Sequence, residues 1–249
     1  MKVLDLFSGI GGFAIGLEKA GMETVAFCER EPFCQAVLRK HWPKVPIYDD
    51  IKTLTANRLA SDGITVDVIC GGFPCQDISI SGQGKGLAGE RSGLWREYAR
   101  LVSELRPRYA IVENVSALLF RGLGDVLGDL ASLGYDAEWH CIPASAVGAP
   151  HRRDRIWVVA YPGGARGAVG LSKPQQRQEG RPEVFNDGRN RLNGRARQGF
   201  WATEPNVGRV VNGVPARSHR LKALGNAVVP QIPEIIGRAI IDHEQPNHH

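Results

Sequence analysis

Cys75 is the side chain whose setting best suits nucleophilic chemistry. It follows Gly71-Gly72-Phe73-Pro74, so a proline fixes the backbone just before it, and it lies in a polar, glycine-rich loop and not in an apolar run. A thiol exposed in such a loop attacks electrophilic carbon once a positive environment holds it as the thiolate. Isolated cysteines are more often inert core, and Cys28, Cys70 and Cys141, at or within strands, and Cys34, in a helix, take that reading. Five cysteines at irregular spacing, without a C-x-x-C pair, suit neither a disulfide framework nor a zinc site, so no metal is expected. Glu113-Asn114-Val115 closes the strand that starts at Tyr109 and delivers a carboxyl group to the same edge as Cys75, and His151-Arg152-Arg153-Asp154-Arg155 precedes the last strand. Period-two alternation places Arg153 and Arg155 on one face of a strand. Taken singly, Glu113 also reads as a brace for the sheet and the arginines as a salt-bridged rim.

A second constellation opens the chain. Asp5-Leu6-Phe7-Ser8-Gly9-Ile10-Gly11-Gly12-Phe13 puts glycines in the turn between a first strand and a first helix, and Gly9-x-Gly11-x-x-Ala14 fits the dinucleotide fingerprint. Glycines there allow a tight turn and let a ligand approach the backbone over a helix N-terminus. Glu29 ends the second strand, where an acid holds ribose hydroxyls. By itself the pattern means a ribose-bearing ligand, or simply a turn with glycines for packing. Asp49-Asp50-Ile51 follows at the carboxyl end of the next strand.

These residues act together only if one framework brings them to a common edge. Short β-rich runs at 3–7, 24–28, 66–70, 109–113 and 156–161 alternate with segments of helical period at 13–20, 32–41, 92–105, 124–133 and 230–241. That alternation is the signature of β-α units on a parallel sheet, whose carboxyl edge is where ligands sit. Cys75, Glu113, Glu29, Asp50 and the glycine turn all fall at such ends.

The order of these motifs resembles that of the C5-cytosine DNA methyltransferase family. Residues 5–13 are similar to the family's glycine-rich opening, Glu29 to its ribose-binding acid, Asp50 to its adenine-contacting acid and 71–76 to its Pro-Cys-Gln nucleophile loop. Residues 113–115 resemble its Glu-Asn-Val, 151–155 its Gln-x-Arg-x-Arg, and Gly225-Asn226-Ala227-Val228 its Gly-Asn-x-Val, while Ser92-Gly93-Leu94-Trp95 resembles a segment that passes near the cofactor. His151 stands where the family has Gln, Asp49 where it has Gly, and the stretch between Tyr161 and Leu221 is short for a recognition segment. The resemblance implies an α/β, Rossmann-like S-adenosylmethionine-dependent methyltransferase fold with a mostly parallel sheet. Residues 1–161 plus 221–249 would form the catalytic domain and 162–220 a small irregular, basic target-recognition segment.

It also implies roles. Cys75 would add to carbon 6 of cytosine, with a protonated Glu113 at N3 and Arg155 and Arg153 at O2 stabilising the charge that builds on the ring. S-adenosylmethionine, which leaves as S-adenosylhomocysteine, would be held by Phe7, Ser8, Gly9, Ile10 and Gly11, by Glu29, by Asp50 and Ile51, and by Pro74, Leu94, Asn226 and Ala227. The target carbon lies inside a duplex, so the base must be flipped out. Ser79, Gln83, Lys85 and Arg91 lie in a glycine-rich loop that can close over it, and Arg189, Arg191, Arg195 and Arg197 can grip phosphates. The implied partner is double-stranded DNA, met by a monomer that works beside a restriction endonuclease.

Composition is consistent with one α/β domain: 249 residues, 43% hydrophobic and 23% charged, with no apolar run long enough to span a bilayer. Met1-Lys2-Val3-Leu4-Asp5 puts an acid where a secretory signal is apolar, so the protein is expected in the cytoplasm. Net charge is +5, but residues 151–222 carry 15 Lys and Arg against 5 Asp and Glu. An acidic body with a basic segment suits a polyanionic partner or a solvated surface. A nicotinamide dehydrogenase would explain the glycine turn and Glu29 but leave Cys75, Glu113 and the arginines without work. An RNA C5-methyltransferase would use the same set, whereas a non-catalytic cofactor- and DNA-binding protein would need neither Cys75 nor Glu113.

Overall fold

The first strand, β1 (Lys2–Leu6), is buried from Val3 to Leu6, as befits the centre of a sheet covered on both faces. The computed structural model describes residues 1–74, 93–164, 169 and 223–245. Around β1 lie β2 (Glu23–Cys28), β3 (Ile47–Tyr48), β4 (Val68–Gly71), β5 (Tyr109–Val115), β6 (Tyr135–Pro143) and β7 (Asp154–Pro162) in one seven-stranded sheet of order β3-β2-β1-β4-β5-β7-β6. Strands β1 to β5 run parallel, and β7 runs antiparallel to both β5 and β6. The sheet is therefore mostly parallel, as expected, with one reversed strand near an edge.

Helices cover both faces. On one side α4 (Gly93–Leu105), α5 (Leu118–Arg121) and α6 (Leu123–Ser132) bury Trp95, Tyr98, Leu101, Leu118 and Val126 against Leu4, Leu6, Ile69 and Val112. On the other, α1 (Gly12–Lys19) and α7 (Gln231–Glu244) bury Phe13, Leu17, Ile232 and Ile236 against Val3, Val68, Ile111 and Trp157. The alternation of Val3 with Leu4 assigns neighbouring residues to opposite layers. Helix α2 (Pro32–His41) starts on proline at its first turn and ends on Arg39, Lys40 and His41, both favourable placements for a helix dipole and its missing N–H groups. A further short helix, α3 (Ala56–Ser61), is capped by the Thr55 side chain, which accepts from the Arg58 N–H at 3.2 Å.

Two expectations need correction. Among the described residues Cys28, Cys34 and Cys70 are buried, but Cys141 is exposed, on β6, the outermost strand of the sheet. Nor does period-two alternation carry Arg153 and Arg155 to one face. The strand starts only at Asp154, and Arg153 sits at φ +38°, in left-handed backbone that breaks the alternation. Among the described residues no helix is long and apolar enough to cross a membrane.

Candidate active site

From β1 the chain moves outward to β2 and β3, then returns to place β4 on the other side of β1, which makes the β1/β4 crevice the switch point where ligands bind in open α/β sheets. The carboxyl ends of the parallel strands present Phe7, Glu29, Gly72 and Glu113. Because β7 is reversed, its amino end comes to the same edge, with Arg155 opposite Val115 in the antiparallel register.

The turn after β1 is held in a shape that few residues tolerate. Phe7 and Gly9 both have φ of +54° and Gly11 has +86°. A Cβ at Gly11 would lie 2.6 Å from the Trp42 ring, so glycine is needed there for space as well as for backbone geometry. The Ser8 hydroxyl donates to the Asp5 carbonyl at 2.6 Å, and the Gly11 N–H donates to the Ser8 carbonyl at 2.9 Å. Glu29 reaches across from β2: its carboxylate accepts from the Gly9 N–H and the Glu31 N–H, each at 2.7 Å. Burial pushes this carboxyl above its usual range, while the N–H groups of Glu31, Gly9 and Arg30 oppose the shift. After β3 the Asp50 carboxylate accepts from the Lys52 N–H at 2.9 Å, and the Ile51 side chain is buried beneath it. Ile10 is half-buried in the turn between Gly9 and Gly11.

At the other half of the edge, Glu113 pairs with Arg155, whose Nε lies 3.0 Å from Oε1. Burial raises the Glu113 carboxyl, and the charges of Arg155 and Arg153 oppose the rise. Arg153 is lowered by its own burial and by the like charge of Arg155. Both guanidinium charges thus act on Glu113, Arg155 by direct pairing and Arg153 through its charge alone. Arg153 also donates through Nη2 to the Ala227 carbonyl at 2.9 Å. A Cβ at Gly12 would lie 2.6 Å from the Val228 carbonyl oxygen, so the 225–228 stretch rests on the start of α1 beside the glycine turn. There Asn226 is exposed and Ala227 half-buried.

With this edge described, comparison with known sequences becomes decisive: the model of the C-5 cytosine-specific DNA methylase family matches residues 1–192. The chain belongs to that family. Type II methyltransferase M2.BsuMI of Bacillus subtilis strain 168 is 39% identical over 168 residues, 64% of this chain and 42% of that protein. Type II methyltransferase M.HhaI of Haemophilus parahaemolyticus is 31% identical over 165 residues, 65% of this chain and 49% of that protein. Among solved structures, an Escherichia coli protein described as a prophage-encoded DNA modification methyltransferase superposes with a TM-score of 0.55 at 27% identity, covering 65% of this chain and 47% of that one. The matched stretch is under half the length of each of these three proteins. The fold is that of S-adenosylmethionine-dependent methyltransferases, Rossmann-like as the resemblance implied.

In this chain the sheet edge gathers Phe7 to Gly11, Glu29, Asp50, Ile51, Glu113, Arg153, Arg155 and Ala227. Pro74 is exposed just past β4, and Leu94 is half-buried in the first turn of α4, packed against the core. Cys75 lies outside the described residues, as do Ser79, Gln83, Lys85, Arg91, Arg189, Arg191, Arg195 and Arg197. Two supporting residues had no assigned role in the sequence. Gly72 is required because a Cβ there would lie 2.6 Å from Glu113 Oε2. Buried Asn114 donates through Nδ2 to the Phe73 carbonyl at 3.0 Å, fixing the backbone two residues before Cys75. The Gly-Gly pair before Phe-Pro-Cys was the one available signal for Gly72, while the bond of Asn114 depends on β4 and β5 being neighbours.

Proposed function

We propose that the chain is a DNA (cytosine-5-)-methyltransferase acting on a cytosine flipped out of duplex DNA. The observation that carries this reading is a half-buried Glu113, raised by that burial, set between Arg155, Gly72 and the strand that leads into Cys75. A carboxyl that burial raises while two guanidinium charges lower it is suited to give a proton to a ring nitrogen while the arginines take negative charge on the neighbouring oxygen. The residues also fit the cofactor. Glu29, fixed by two backbone N–H groups, has lone pairs left for ribose hydroxyls, and a Cβ at Gly9 would meet no atom within 4 Å, so the turn presents bare backbone. Asp50 and Ile51 would meet the adenine, and Phe7, Ser8, Gly9, Ile10, Gly11, Pro74, Leu94, Asn226 and Ala227 would line the rest.

Carbon 5 of cytosine is a poor nucleophile, so the Cys75 thiolate adds first to carbon 6 and converts the ring to an enamine. Glu113 protonates N3 as this bond forms, and Arg155 and Arg153 stabilise O2. S-adenosylmethionine, when bound, supplies the electrophilic methyl group that carbon 5 accepts. Loss of the carbon 5 proton then lets Cys75 leave by elimination, which regenerates the thiolate, and N3 returns its proton to Glu113. The loop residues Ser79, Gln83, Lys85 and Arg91 contact the DNA around the flipped base, and the basic segment with Arg189, Arg191, Arg195 and Arg197 meets phosphates. The test is incubation with methyl-labelled S-adenosylmethionine and either duplex DNA or RNA. Label in the DNA, lost in Cys75→Ser with cofactor affinity preserved, is the expected result. Label in RNA alone, or full turnover by Cys75→Ser, would overturn the reading.

A further inference from the structure

Arg100 lies outside the reacting edge, in the middle of α4, yet all three nitrogens of its guanidinium are engaged. Nε donates to Glu97 at 2.7 Å and Nη1 to Glu104 at 2.6 Å, while Nη2 donates to the carbonyls of both Ile51 and Leu54 at 2.9 Å. Glu104 in turn accepts from the Ala56 N–H at 2.9 Å. One helix thereby grips the connection between β3 and α3 at three backbone groups.

That connection begins at Asp50. Its carbonyl accepts from the N–H groups of Thr53 at 3.1 Å and Leu54 at 3.2 Å, so a tight turn closes on the same residues that Arg100 holds. The Ile51 and Leu54 side chains are buried, which leaves their carbonyls dependent on a protein donor. Glu97 and Glu104 offset the charge of Arg100, so its contribution is geometric. A planar fork spans two carbonyls and two carboxylates at once, which an ammonium cannot do.

We infer that Arg100 is a positioning residue for S-adenosylmethionine, holding the 50–54 turn in the shape that presents Asp50 and Ile51 to the adenine. The inference rests on the cofactor assignment made above. Arg100→Lys keeps a cation between Glu97 and Glu104 but cannot bridge both carbonyls, and Arg100→Met removes both charge and fork. Calorimetry should show S-adenosylmethionine binding weakened about tenfold in Arg100→Met, with Arg100→Lys between it and wild type. At saturating cofactor kcat should be unchanged, and cofactor-free DNA affinity should match wild type. In an Asp50→Ala background, Arg100→Met should add little, because both changes act through one turn. A purely structural role predicts instead a lowered melting temperature with unchanged cofactor affinity in the folded variants, or equal losses in kcat and DNA binding, and either result overturns the inference. If Arg100→Met does not fold, the same comparison is decided on Arg100→Lys. Failure of the wild type itself to bind S-adenosylmethionine would overturn the cofactor assignment, a distinguishable outcome.

Discussion

Replacing Glu113 by Gln keeps the side chain's shape and removes its acid. The structure sets the size of two separate effects. Glu113 and Arg155 meet at 3.0 Å with side chains 12% and 21% exposed, so the pair is only part-buried, and a glutamine oxygen still accepts from Arg155. The charged carboxyl is net disfavoured by its burial, a cost that Gln escapes, so folding stability should change by no more than about 1–2 kcal/mol, less than the about 3–5 kcal/mol that follows breaking a fully buried pair. The rate effect is larger. A positioned general acid contributes a factor of about 100 to 10,000, or about 2.7–5.4 kcal/mol of barrier at about 1.36 kcal/mol per tenfold. Burial raises the folded carboxyl above its ordinary range against Arg155 and Arg153, so the proton it must carry is lost as pH rises through that raised value. Wild-type kcat should thus decline on an alkaline limb that Glu113→Gln lacks, while thiolate formation at Cys75 gives both proteins a limb of opposite slope. Single-turnover methyl transfer measured across pH reads both quantities. A Gln variant with wild-type kcat, or one that keeps the alkaline limb, would refute the role of Glu113.

Glu29→Ala removes the carboxylate that accepts from the Gly9 N–H and is proposed to hold the ribose, a loss of about 1.5–3 kcal/mol, and calorimetry should find S-adenosylmethionine affinity lower by about 10- to 150-fold. Asp5 is fully buried, and that burial raises its carboxyl although the Cys70 thiol and the Ala14 N–H ease its charge. A raised carboxyl favours the fold most at acid pH and loses that contribution as pH climbs from the unfolded value toward the folded one. Asp5→Asn should accordingly gain melting temperature over wild type as pH rises from acid to neutral, by about 2–4 °C per kcal/mol recovered, and a difference independent of pH would disprove it. Combined replacement of Arg189, Arg191, Arg195 and Arg197 by Ala should flatten the salt dependence of duplex binding, which falls by about 0.9 in log K per phosphate contact for each unit of log salt. An unchanged slope would show that this cluster is a solvated surface.

The core units of the sheet were legible because their signals are local. Val3 to Leu6, Pro32 at a helix start and the glycine turn each declare an element within a few residues, and the observed bounds differ from those expected by one or two positions at most strand and helix ends. Short elements were not delimited: β3 has two residues, α5 four and α3 six, too few for a period to repeat. Strand β6 mixes Asp136, Glu138 and His140 with apolar residues because it is an edge strand, and Cys141 on that strand is exposed. At the site, residue types were readable and pairings were not. Glu113 and Arg155 meet through an antiparallel register that no local pattern encodes, Arg153 bonds the Ala227 carbonyl from left-handed backbone, and Arg100 does its bonding to main-chain carbonyls of another segment.

A covalent bond between Cys75 and cytosine is the central claim. It is tested most directly with long duplex DNA of mixed sequence carrying 5-fluorocytosine, because fluorine at carbon 5 blocks the proton loss that releases the enzyme. In the presence of S-adenosylmethionine the protein should form a denaturant-stable adduct, mass spectrometry should place it on Cys75, and Cys75→Ser should form none. Absence of an adduct while S-adenosylmethionine binds, or an adduct on any other residue, would contradict the account.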